Sequence, residues 1–145
     1  ILNRAFIPGY CKTSGSTGIH IYLPLAAKYT YEEARDFTKL LCYFIHEELP
    51  ELTSMERKLD KRKGKIYLDY LQNRKGQTLA SPYCVRPKPG APVSAPLEWD
   101  EVKPGLKMED FNIFTMKKRI KEKPDLFQGI LKKGLDMAVA IENLL

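Results

Sequence analysis

Between Pro82 and Pro96 the chain carries Pro82, Pro87, Pro89, Pro92 and Pro96. Each proline removes a backbone donor, so this stretch is expected as an extended, loop-like arm rather than a ladder strand. Residues Ile19 to Leu23 alternate Ile-His-Ile-Tyr-Leu and then meet Pro24, the pattern of a strand that ends at a proline. Thr30 followed by Glu33 is a capping-box signature. Behind it Ala34, Phe37, Leu41, Phe44 and Ile45 share one helical face, which predicts a helix over Tyr31–Glu48, closed by Pro50. Ile66 to Leu71 is rich in β-formers and reads as a strand. Beyond the arm, helical periodicity returns at Thr115 to Lys121, breaks at Pro124, and resumes from Asp125 through Leu126, Ile130, Leu131, Ala138 and Ile141, although Gly129 and Gly134 weaken that last segment. The expected fold class is mixed α/β, a single domain over residues 1–145.

Bulk properties narrow the functional classes. A hydrophobic fraction of 43% can build a core, and 29% charged residues suit a soluble surface. No apolar run approaches the roughly 20 residues that span a bilayer, and no membrane association is expected. Cys11, Cys42 and Cys84 are odd in number and scattered, and with His20 and His46 they make no metal-ligand spacing, which suggests a reduced, cytoplasmic setting. The chain starts at Ile1 with no basic-then-apolar leader, and Leu2, Ala5 and Phe6 read like a helix cut midway, so a piece of a longer protein is expected. A net charge of +6 favours an anionic partner, though many basic domains of this size bind none.

The densest chemical signal is Lys12-Thr13-Ser14-Gly15-Ser16-Thr17-Gly18-Ile19-His20. Small residues let backbone come close to a ligand, and turned-in N–H groups make a concavity for phosphate oxygens. No lysine follows Gly18, so this is not a Walker loop, and Ser14 stands where a hydrolase elbow needs glycine. An ordinary Gly/Ser turn before a strand explains the same residues. Asp69 is the second signal. On an alternating strand it shares a face with Tyr67 and Leu71, where it could ligate Mg²⁺ or Mn²⁺ or simply pair with Arg62 or Lys65. Gln72-Asn73 and the run Ser81 to Arg86 suit sugar, phosphate or base contacts, though solvated loop residues are the more ordinary reading.

Taken in order, Lys12–His20, Arg62–Asn73 and Ala80–Leu97 resemble the polymerase domain of bacterial DNA ligase D, a member of the archaeo-eukaryotic primase superfamily. The likeness runs from about Tyr10 to Arg119. It implies a primase-polymerase catalytic core with an RRM-like sheet flanked by helices. It also implies a nucleotidyltransferase that fills and extends DNA ends in non-homologous end joining. Its expected partners are a nucleoside triphosphate, DNA ends, a ligase module in the same protein and the bacterial Ku end-binding protein, in the bacterial cytoplasm.

Carried residue by residue, the resemblance assigns Lys12, Ser14, Gly15, Thr17, His20 and Arg62 to the nucleotide phosphates. Gln72, Asn73 and Arg86 go to sugar or nucleic acid, and Asp69 to a divalent metal, Mn²⁺ or Mg²⁺, with Asp69 and His20 catalytic. Thr17 departs from a common lysine of the family. The family's D-x-D pair is absent from these residues and is expected upstream of Ile1. One carboxylate cannot position two divalent ions, so the chain alone is expected to bind rather than polymerise. A non-catalytic nucleic-acid-binding module, holding DNA through the basic stretch Arg57 to Lys65 and the arm Arg86 to Lys88, is the competing reading. An unrelated phosphate-transfer enzyme using Lys12 to His20 is a weaker third.

Other residues carry structural expectations. His46 lies near the C-terminal end of its helix, where an imidazolium is favoured. Trp99 is expected to pack structurally, Phe111 and Phe114 to lie in the core, and Cys84 to be buried.

Overall fold

Helix α1 (Tyr31–Glu48) begins where its local signals place it. The Thr30 hydroxyl accepts from the Glu33 amide at 3.2 Å, and the Glu33 carboxylate accepts from the Thr30 amide at 2.7 Å. Ala34, Phe37, Leu41 and Cys42 form its buried face. In the computed structural model, which describes residues 1–145, the internal contacts gather into two compact units. One comprises residues 1–6, 27–79 and 136–145, and the other residues 7–26 and 80–135.

The first unit contains α1, a short parallel pair of strands and a C-terminal helix. Strand β3 (Thr53–Ser54) pairs with β4 (Ile66–Tyr67), and the connection between them carries a 3-10 turn at Leu59–Arg62. The expected strand over Ile66–Leu71 is therefore shorter. Its ladder ends with the Leu68 amide donating to the Ser54 carbonyl, and the backbone then turns. Leu2, Ala5 and Phe6 belong to a turn rather than a helix; Phe6 adopts φ 53° and is 82% exposed. The helix expected from Asp125 is confined to α3 (Met137–Glu142), capped by the Asp136 carboxylate on the Ala138 and Val139 amides.

The second unit is built on an antiparallel sheet of order β2-β1-β5, with β1 at Tyr10–Thr13, β2 at Ile19–Tyr22 and β5 at Pro96–Leu97. Lys12 stands opposite His20 in one ladder and Pro96 in the other. The arm is not extended as expected. It doubles back through a turn at residues 89–90, with Val85 and Val93 in an antiparallel bridge and the Arg86 amide donating to the Pro92 carbonyl at 2.8 Å. Its last proline joins a ladder. Pro96 sits on an edge strand, where a missing donor is tolerated. Cys11, Val93, Ala95, Leu97, Phe111 and Met116 make the core of this unit. Helix α2 (Ile113–Glu122) starts at Asn112, whose side chain accepts from the Phe114 and Thr115 amides. Phe111 is core, but Phe114 is 78% exposed, because the first turn of α2 directs it away from the stripe carrying Met116. Residues 125–135 turn instead of coiling. A side chain at Gly129 would strike the Tyr10 ring, and one at Gly134 would meet Leu25 and Ala26.

Candidate functional site

In the second unit, the residues expected to grip phosphate lie on a hairpin rather than a free loop. Strand β1 delivers Lys12, β2 delivers His20, and residues 14–18 turn between them. The Ser14 hydroxyl accepts from the Ser16 and Gly18 amides, each at 3.1 Å, and the Ser14 amide donates to the Gly18 carbonyl at 2.8 Å. Two of the inward amides thus already have a partner, and the turn is preformed. Gly15 is buried at φ +65°, and a Cβ there would approach Arg86 Cγ to 2.5 Å and the Ser94 amide nitrogen to 3.2 Å. Glycine is required at this position both by conformation and by room. Thr17 is exposed at the tip.

Lys12 is a strand residue with 0% exposure. Its Nζ donates to Ser94 Oγ at 2.6 Å and lies 3.2 Å from His20 Nδ1. The Tyr22 ring centroid is 5.5 Å away. Burial lowers the lysine to about 8, opposed by the nearby Cys84 thiol and reinforced by the Arg86 guanidinium. Arg86 closes the turn by donating from Nη1 to the Ser14 carbonyl at 3.1 Å, and Lys88 Nζ donates to Ser16 Oγ at 2.5 Å. No carboxylate pairs with Lys12, Arg86 or Lys88. A cationic cluster without a counter-ion is suited to an anion. Ser94 and Tyr22 carried no signal of their own, although the alternation of β2 already put Tyr22 on the His20 face.

The first unit holds the other assigned residues. Arg57, Arg62, Tyr67, Asp69, Gln72 and Arg74 line a cavity of about 310 Å³. Arg62 lies over the Tyr67 ring at 3.9 Å and donates to the Glu56 and Arg57 carbonyls, so it pairs with neither Asp69 nor any other acid. Asp69 is exposed and past the end of β4, and its Oδ1 accepts from the Leu71 amide at 2.9 Å in an Asx turn. Asn73 donates to the Thr38 hydroxyl and the Tyr70 carbonyl, which ties it to α1. Gln72 is exposed at the cavity.

No three His, Cys, Asp or Glu side chains converge anywhere in the chain. Asp69 alone, with one oxygen engaged, does not fit a divalent-metal centre. His46 bonds Thr53 through Nδ1 at 2.9 Å at the end of α1. Trp99 is half exposed and anchors its indole N–H on the Gly9 carbonyl. Cys84 is only partly buried.

Residues 1–127 match the family model for the LigD primase-polymerase domain. The chain belongs to that family. It is 42% identical over 123 residues to the bifunctional non-homologous end joining protein LigD of Bacillus subtilis, covering 84% of this chain and 20% of that protein. With the multifunctional LigD of Pseudomonas aeruginosa it shares 30% identity over 122 residues, covering 84% and 14%. The chain therefore spans about a fifth or less of these LigD relatives. The polymerase domain of Mycobacterium tuberculosis ligase D, solved in complex with DNA, superposes with a TM-score of 0.83 at 26% identity, over 92% of this chain and 46% of that one. The LigD likeness read from three motifs and the mixed α/β class are both upheld. No helix is long and apolar enough to cross a membrane.

Proposed function

We propose that the chain is part of one LigD-type polymerase domain and serves nucleotidyl transfer at DNA ends in non-homologous end joining. The observation that carries this is the acid-free cluster of the second unit: buried Lys12 beside His20, the preformed Ser14–Gly18 turn, and Arg86 closing it. Ser14, Gly15, Thr17 and His20 form the phosphate grip for a nucleoside triphosphate, with buried Lys12 supporting it from behind the His20 ring. Arg62 is assigned to the nucleotide phosphates, and Gln72, Asn73 and Arg86 to sugar or nucleic acid. Asp69 and His20 are the residues assigned to the reacting centre. A divalent ion, Mn²⁺ or Mg²⁺, belongs to this reading on family grounds. Since Asp69 brings no second ligand with it, the roles supported here are binding and orientation, and these residues alone are expected to bind without polymerising. A ligase module in the same protein, Ku as partner and the bacterial cytoplasm complete the reading.

The test is ATP binding by calorimetry, together with primer extension in the full-length protein. His20→Gln is expected to weaken ATP binding at least roughly tenfold, about 1.4 kcal/mol, and Asp69→Ala to abolish extension while ATP still binds. Undiminished extension by Asp69→Ala would sink the catalytic assignment.

A non-catalytic nucleic-acid-binding module is favoured by one observation. Lys58, Lys61 and Lys63 are exposed and free of ion pairs. That reading predicts DNA binding indifferent to ATP and to His20→Gln.

A further inference from the structure

We propose that Lys12 and Ser94 are positioning residues that hold the His20 ring in the tautomer protonated on Nε2. The argument is one of donors and acceptors. Ser94 Oγ donates its only proton to the Thr13 carbonyl at 2.7 Å, so toward Lys12 Nζ, 2.6 Å away, it can only accept. The ammonium has three N–H groups and no lone pair. Around it stand Ser94 Oγ, His20 Nδ1 at 3.2 Å and the Thr13 carbonyl at 3.5 Å, one acceptor for each proton. His20 Nδ1 must then present its lone pair, which places the ring proton on Nε2.

The other groups facing the ammonium leave this arrangement intact. From β2 comes the Tyr22 ring, and from the arm come the Cys84 thiol and the Arg86 guanidinium; none is a carboxylate that would draw Nζ away. Lys12 titrates at about 8, so the donor form prevails at neutral pH. Full burial of Lys12 makes this indirect role natural, because the amine acts through the ring beside it. The functional weight of the tautomer rests on the reading that His20 serves the nucleotide. The tautomer itself does not.

The experiment is long-range ¹H–¹⁵N correlation of histidine-labelled protein at pH 7, the His20 signal being the one lost in His20→Gln. The expected result is a proton on Nε2 in the parent protein and a mixture of both tautomers in Lys12→Met. Ser94→Ala, a smaller change, is expected to shift the ring ¹⁵N signals the same way by less. ATP affinity should fall roughly fivefold to tenfold in Lys12→Met. A proton on Nδ1 in the parent overturns the proposal whatever the variants do, as does an unchanged Nε2–H signal in both folded variants. If ATP binds equally well to parent and His20→Gln, the nucleotide reading fails while the tautomer result is judged by its own signals.

Discussion

Gly15 shows how one residue can be held by two separate demands. Its φ of +65° strains any L side chain, and its Cα faces Arg86 and the backbone of Val93 and Ser94. Gly64 has φ +78° with open space around it, so it carries the first demand alone. Gly64→Ala should cost about 1 kcal/mol of stability, and Gly15→Ala about 2–3 kcal/mol. Urea unfolding measures both, and equal losses would show that the packing against Arg86 is not tight. At this scale the turn at Ser14–Gly18 is legible in the sequence and the burial of Lys12 is not. The glycines and serines announce a turn by type. The burial of a lysine depends on Ser94, 82 residues away, and no local pattern carries that information.

Among the elements, α1 was legible because its cap, its apolar stripe and its terminating proline are all within one segment. Strands β3 and β5 are two residues each and exist through their partners, so periodicity could not reveal them. The tail after Pro124 misled for the opposite reason. Its apolar spacing is helical, but Gly129 and Gly134 sit flush against Tyr10 and Leu25, and close packing displaced the local preference.

Helix α2 is fastened by Arg119, which grips both oxygens of Glu101 at 2.7 and 2.6 Å and also donates to the Pro96 carbonyl. The Arg119 hydrogen bonds, with lesser help from the Glu98 backbone and Lys123, hold the Glu101 carboxyl at about 2 against an ordinary 4.5. The folded state therefore favours the ionised acid. This stabilisation is complete above about pH 4.5 and is lost as pH falls toward 2. It should amount to about 2 kcal/mol after allowance for partial exposure. Urea midpoints between pH 6 and 2 should fall more steeply for the parent than for Glu101→Gln; parallel curves would remove the ion pair from the stability of this unit.

The molecule as a whole is a basic chain whose cations are unevenly engaged. Some are tied into the fold, as Arg119 and Lys123 are, while Lys58, Lys61 and Lys63 project from the connection between β3 and β4. If those lysines meet DNA phosphates, replacing all three by glutamine should flatten the dependence of log binding constant on log salt by about 2–3. Fluorescence anisotropy with a short duplex bearing a 3′ overhang measures this. An unaltered slope would place the DNA elsewhere on the surface.

Strand β1 has a consequence for how such a chain avoids error. Neighbouring residues on it have opposite destinations: Cys11 belongs with Phe111 and Met116, and Lys12 with His20 and Ser94. A slip of one residue in pairing would exchange them, forcing an ammonium among apolar side chains at a cost of several kcal/mol. The same lysine that supports the anion cluster thus acts as a proofreading mark for the sheet. A chain that has paired its strands wrongly cannot carry a partly working phosphate grip.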